Sequence, residues 1–272
     1  MLKLIRYEFR KNRTLLLVVL GVIAALEAYF LFRAHASARL NAINNLSEAA
    51  NSAEVHLIVA MSLLVFASFG TALAVFIMGV AGYSRELNQK TSYLVFMTPQ
   101  STLSIVGAKL LFTLITGVGF AGLLAAFAAL DFPMMLDSLG REWVGYYNML
   151  DWFMTENDLN LTGALMTIAF FVCVVFLSII ATVSIAYLAI TLSATFMRGR
   201  KGHALVSVLL FLLLSWGNSR LTSLFFNADS YLSLSDAAGL MRVLTPQLLL
   251  DAAILALSVL ACAWMLKKRV DL

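Results

Sequence analysis

The sequence predicts an all-α integral membrane protein with six transmembrane helices and both termini in the cytoplasm. Three observations carry this. First, 61% of the 272 residues are hydrophobic and only 12% are charged, whereas a soluble domain carries about 25% charged residues. That leaves too little polar surface to coat a globule in water and excludes a cytosolic enzyme, a disordered chain and a disulfide-stapled secreted domain. Second, the apolar residues form long unbroken runs, not the period-two alternation of a membrane barrel. Helices are the spanning elements that satisfy every backbone group within such a run. Third, Lys and Arg fall unevenly between alternate links, and such residues mark the cytoplasmic side.

Residues 1–13 read as an interfacial helix. Leu2, Ile5 and Phe9 share one face, and Lys3, Arg6, Arg10 and Arg13 lie around the other, with Glu8 among them. A basic amphipathic helix of this kind lies on an anionic membrane surface. The first span follows at about 14–32. It is longer than a signal-peptide core and is interrupted by Glu27, so it reads as a retained span. Further spans are expected at about 57–82, 103–130, 163–196, 204–218 and 247–266, since about 20 residues cross the hydrocarbon core. The fifth is the shortest. Its apolar run ends at Trp216, and Gly217, Asn218 and Arg220 follow. A break there with short helices dipping into the outer leaflet is favoured; the alternative is a continuous helix with Asn218 and Arg220 facing protein.

With this arrangement, fourteen of the 19 Lys and Arg lie on one side, at 1–13, at Arg85, Lys90 and Lys109, at 198–201 and at 267–269. The other side holds Arg33, Arg39, Arg141, Arg220 and Arg242. The net charge of +4 therefore hides a strong asymmetry, and the basic excess belongs to a membrane surface, not to a nucleic-acid partner. The outer segment 131–162 carries Asp131, Asp137, Glu142, Asp151, Glu156 and Asp158 against Arg141. It is too long for a mere connector. Its Trp143 to Phe153 stretch reads as an amphipathic surface helix, serving as a lid, a dimer contact or a filter for cationic cargo.

Catalytic constellations are missing. No phosphate-binding G-x-x-x-x-G-K-[ST], H-E-x-x-H or G-x-S-x-G occurs. His35, His56 and His203 are scattered, and Cys173 and Cys262 sit in apolar runs, so no metal or bridge is expected. Gly117-Val118-Gly119-Phe120-Ala121-Gly122 matches a dinucleotide fingerprint, but inside an apolar helix and without the preceding strand. Gly117, Ala121 and Ala125 recur every four residues and predict a close helix–helix contact. Glu27 and Asp251 are the intramembrane acids. Each is either solvated or paired near the outer end of its span, or lines a pathway.

The link 83–99 has the most character. Glu86 and Lys90 are spaced as a helical ion pair, Leu87, Leu94 and Phe96 are apolar, and Pro99 disfavours helix at Thr98. Such a segment suits docking on a soluble partner. Here the chain resembles the permease subunits of ABC type-2 transporters. The opening Leu2-Lys3-Leu4-Ile5-Arg6-Tyr7-Glu8-Phe9-Arg10-Lys11 is similar to their interfacial helix. Glu86, Thr98-Pro99 and Lys109 match the Glu, the Thr-Pro element and the Lys of their coupling region. The resemblance covers the whole chain in architecture and these two stretches in sequence. It implies a non-catalytic subunit of an exporter in a bacterial plasma membrane, paired with an identical or different second permease. A cytoplasmic ATPase dimer holding ATP and Mg would dock on Arg85, Glu86, Lys90, Thr98 and Pro99, and this chain would carry no cofactor. The rival is a free-standing secondary transporter or channel, which would often show internal repeats; none is evident between residues 1–130 and 131–272.

Overall fold

The computed structural model describes residues 2–42, 47–88, 101–138, 161–196, 202–225 and 237–269, and every one of these stretches is helical over nearly its whole length. The helices are α1 (Leu2–Ala42), α2 (Ser47–Asn88), α3 (Thr102–Ser138), α4 (Leu161–Phe196), α5 (His203–Phe225) and α6 (Ala237–Arg269). Each contains a stretch long and apolar enough to cross a membrane, six in all among the described residues. The chain is thus a multi-pass membrane protein, helical throughout its spans.

The helices outrun the apolar runs. α1 takes in residues 2–13 and the first span without a break at Thr14, and continues to Ala42. α2 begins at Ser47, ten residues ahead of its apolar run, and α6 begins at Ala237, with Pro246 inside it. Residues 131–138, read from sequence as loop, are the last two turns of α3. Apolar content marks where a helix meets lipid, while helix propensity marks where it stops. The Ala-rich residues 34–53 are good helix formers although polar. The Trp143 to Phe153 stretch lies outside the described residues.

The favoured break in the fifth span is not formed. α5 runs through Gly217 and Asn218 to Phe225. A glycine within a helix costs about 1 kcal/mol relative to alanine. Freeing backbone groups in hydrocarbon costs several kcal/mol each, so the helix continues. Arg220 is exposed and does not face protein; its guanidinium lies 5.4 Å from the centroid of Trp216, one turn back. Asn218 is half-buried.

Hydroxyls within the spans are spent locally. Ser62, Thr71, Thr182 and Thr222 donate to carbonyls four residues back, and Ser68, Ser184 and Ser223 to carbonyls three back. Each removes the cost of an unpaired hydroxyl at membrane depth without needing a neighbouring helix.

The helices divide into two compact units. One comprises residues 1–6, 78–112 and 152–272. Its centre is α4, whose small residues Ala181, Ser184, Ala186, Ala189 and Ser193 are buried and let neighbouring backbones approach closely. Tyr187 of α4 stacks on Tyr83 of α2 with ring centroids 4.2 Å apart, and its hydroxyl donates to the Gly79 carbonyl at 3.3 Å. The second unit comprises residues 7–77 and 113–151. Its core has two parts, Ile23, Val75 and Phe120 in one and Phe30, Ala34, Leu57 and Ala60 in the other.

Among the described residues, no close small-residue contact runs along Gly117, Ala121 and Ala125 of α3. Gly117 is half-buried near Val75, and a β-carbon there would meet Val75 Cγ1 at an ordinary 3.9 Å. Ala121 and Ala125 are exposed. The packed face of α3 instead carries Thr113, Thr116 and Phe120, with Leu123, Leu124 and Phe127 beside them. Large side chains gain more dispersion contacts than alanines do, and in lipid such packing is a main source of helix association.

Candidate functional sites

Three groups of polar residues inside the spans could do chemistry. The first joins α2 to α3. Glu86 lies in the last turn of α2, and its Oε2 is 2.8 Å from the Lys109 ammonium, two turns into α3. Both side chains are largely shielded, at 15% and 6% exposure. A pair so shielded is held firmly, because losing either partner strands a charge. The sequence had placed Glu86 opposite Lys90, which lies outside the described residues along with Thr98 and Pro99. The observed partner is 23 residues away and fastens the two helix ends that flank residues 89–100. Arg85, beside Glu86, is exposed. At the start of the chain, Arg6 and Arg10 are exposed, Phe9 is half-buried and Ile5 is buried, while Leu2, on the same face as Ile5 and Phe9 by sequence, is exposed. Glu8 is buried too, on the apolar side. Its carbonyl accepts from Asn12 Nδ2 at 3.1 Å.

The second group joins α4 to α6. Asp251 is buried and accepts a hydrogen bond from the Ser178 hydroxyl. Gln247 Nε2 donates in turn to Ser178 Oγ at 3.3 Å. One to two turns along, the hydroxyls of Ser258 and Ser184 meet at 2.7 Å. Deeper still, Thr191 Oγ1 lies 3.2 Å from Cys262 Sγ and 3.4 Å from the Tyr83 hydroxyl. Asp251 thus has a polar partner on the neighbouring helix. These partners are mostly hydroxyls spaced one or two turns apart along both helices, which is how polar residues join spans.

The third group lies in the other unit, between α1, α2 and α3. Glu27 is 5% exposed, and among the described residues neither of its carboxyl oxygens meets a hydrogen-bond donor. Asp131 of α3 is the second acid beside this site. Oδ1 of Asp131 also lacks a donor. Both acids line a cavity of about 480 Å³. Its remaining walls are apolar apart from Ser68, and include Phe30, Met61, Leu64, Phe127 and Ala125 of the expected stripe. Sequence reasoning singled out Glu27 and missed Asp131, because the apolar run of the third span ends at Leu130. A pairing signal exists only once α3 is known to stay helical beyond that point. Asp131 lies four residues after Phe127, so one helical turn places both on the cavity wall.

No group of three or more metal-ligating side chains occurs among the described residues. No family model matches the chain, and no curated protein or solved structure is significantly similar to it.

Proposed function

We propose that this chain is the membrane-spanning, non-catalytic subunit of an ATP-driven exporter of the ABC type-2 class. Two such permease subunits would form the pathway, and separate cytoplasmic ATPase subunits would drive it by docking on residues 83–99. The six apolar helices support a transport role, and the basic excess at the expected cytoplasmic links supports the orientation.

The observation that carries the coupling role is the Glu86–Lys109 ion pair. It ties the end of α2 to the start of α3 at the base of the link between them. A force applied to that link by a soluble partner would therefore move both helices together and would not be lost in flexing one end. Arg85 is exposed beside this pair and is available to the partner.

Purification of the chain from its native membranes in mild detergent should bring down an ATPase with a phosphate-binding loop. Arg85→Glu should lower the ATPase turnover stimulated by the permease while leaving the yield of inserted protein unchanged. Glu86→Ala should lower that stimulated turnover too. Normal stimulated turnover in both variants would overturn the coupling role.

A second reading, a free-standing cation-coupled transporter, draws on Glu27, whose oxygens meet no donor among the described residues, and on Asp131 beside it, since acids within spans mark ion pathways. It predicts no ATPase in the native complex.

A further inference from the structure

Glu27 and Asp131 pose a problem of charge. A carboxylate near the middle of a membrane costs about 2.5–3.5 kcal/mol on insertion scales, and such groups pair with one another or face a cavity. Asp251 resolves the problem with Ser178, which Gln247 supports. Glu27 does not, since no donor among the described residues reaches either oxygen. Two carboxyls on the wall of one cavity repel when both are charged, unless a proton or a cation lies with them.

The cavity narrows the choice. A lone proton needs no room, yet the space beside the acids is about 480 Å³, within the range of sites that take organic molecules of drug size. A hard metal ion needs six or more oxygen ligands. Two carboxyls offer four, and the one other polar side chain in the wall, Ser68, already donates to the Val65 carbonyl at 2.7 Å. Phe30 and Phe127 line the same space, and aromatic faces attract cations.

We infer that the cavity formed by α1, α2 and α3 binds an amphipathic organic cation, with its charge at Glu27 and Asp131 and its apolar body against Phe30, Met61 and Phe127. This names the class of cargo, and rests on the proposed transport role only for the purpose of binding.

Radiolabelled tetraphenylphosphonium is a suitable probe, added to the full chain in lipid nanodiscs. Tetraphenylborate, of the same shape and opposite charge, is the control. The cation should bind saturably and the borate should not. Glu27→Gln and Asp131→Asn should each weaken binding at least tenfold, and Asp251→Asn should leave it within twofold. Ala128→Trp, which fills the cavity and keeps both carboxyls, should abolish it and decides the matter if the acid variants fail to fold. Equal binding of the borate, or undiminished phosphonium binding in Glu27→Gln and Asp131→Asn, would overturn the inference. So would sodium or calcium binding to a chain that ignores the phosphonium. Absent phosphonium binding with an ATPase still co-purifying would remove this inference and leave the exporter reading standing. Phosphonium binding without an ATPase would do the reverse.

Discussion

The α4–α6 pair and the α1–α3 pair each hold intramembrane acids, and they treat them differently. Between α4 and α6, Asp251 is bonded to Ser178, and Ser258 and Thr191 have cross-helix partners. Between α1 and α3, Glu27 and Asp131 line one largely apolar cavity, and no donor among the described residues reaches Glu27. An acid that is paired adds cohesion between helices. An acid left without a donor lowers the stability of the unliganded protein, and that cost is expected where something else binds. Residue type does not separate the two cases; the partners do.

The contrast can be tested by substitution. The largest effect on stability should come from Lys109→Ala, which strands the shielded Glu86 carboxylate. Breaking such a pair costs about 3–5 kcal/mol, and thermal unfolding in detergent should show a marked drop. Glu86→Gln combined with Lys109→Met should recover most of it. Asp251→Ala comes next, at about 1–3 kcal/mol, because the Ser178 hydroxyl loses its acceptor. Ser258→Ala removes one interhelical hydrogen bond and should cost about 0.6 kcal/mol by the same assay. Ala121→Leu should change the unfolding of the single chain by less than about 0.5 kcal/mol, because Ala121 is exposed. A large loss there would mean that the exposed face of α3 is packed against a second copy.

Much of the fold was legible in the sequence, because an apolar run of about 20 residues has few structural outcomes. The helix ends were not. Residues 34–42 and 47–53 look like polar loop by hydropathy and are helical, and Gly217 looks like a break yet sits inside α5. The candidate sites were half visible. Glu27, Asp251, Glu86 and Lys109 stand out as charges at the edges of or within apolar runs. Their partners do not, since Lys109 is 23 residues from Glu86, Ser178 is 73 from Asp251, and Asp131 was hidden by its place beyond the apolar run. Pairing across helices depends on which helix lies beside which, and local spacing does not carry that information.

The most direct test of the contrast is the unfolding temperature of Asp251→Ala beside that of Glu27→Leu, in the same detergent and without added ligand. Replacing an uncompensated buried charge with an apolar side chain is often neutral or stabilising. The account predicts that Asp251→Ala unfolds at lower temperature than the parent chain, and that Glu27→Leu unfolds at the same or a higher temperature. A Glu27→Leu variant as unstable as Asp251→Ala would contradict it, and would make Glu27 a structural residue like its counterpart.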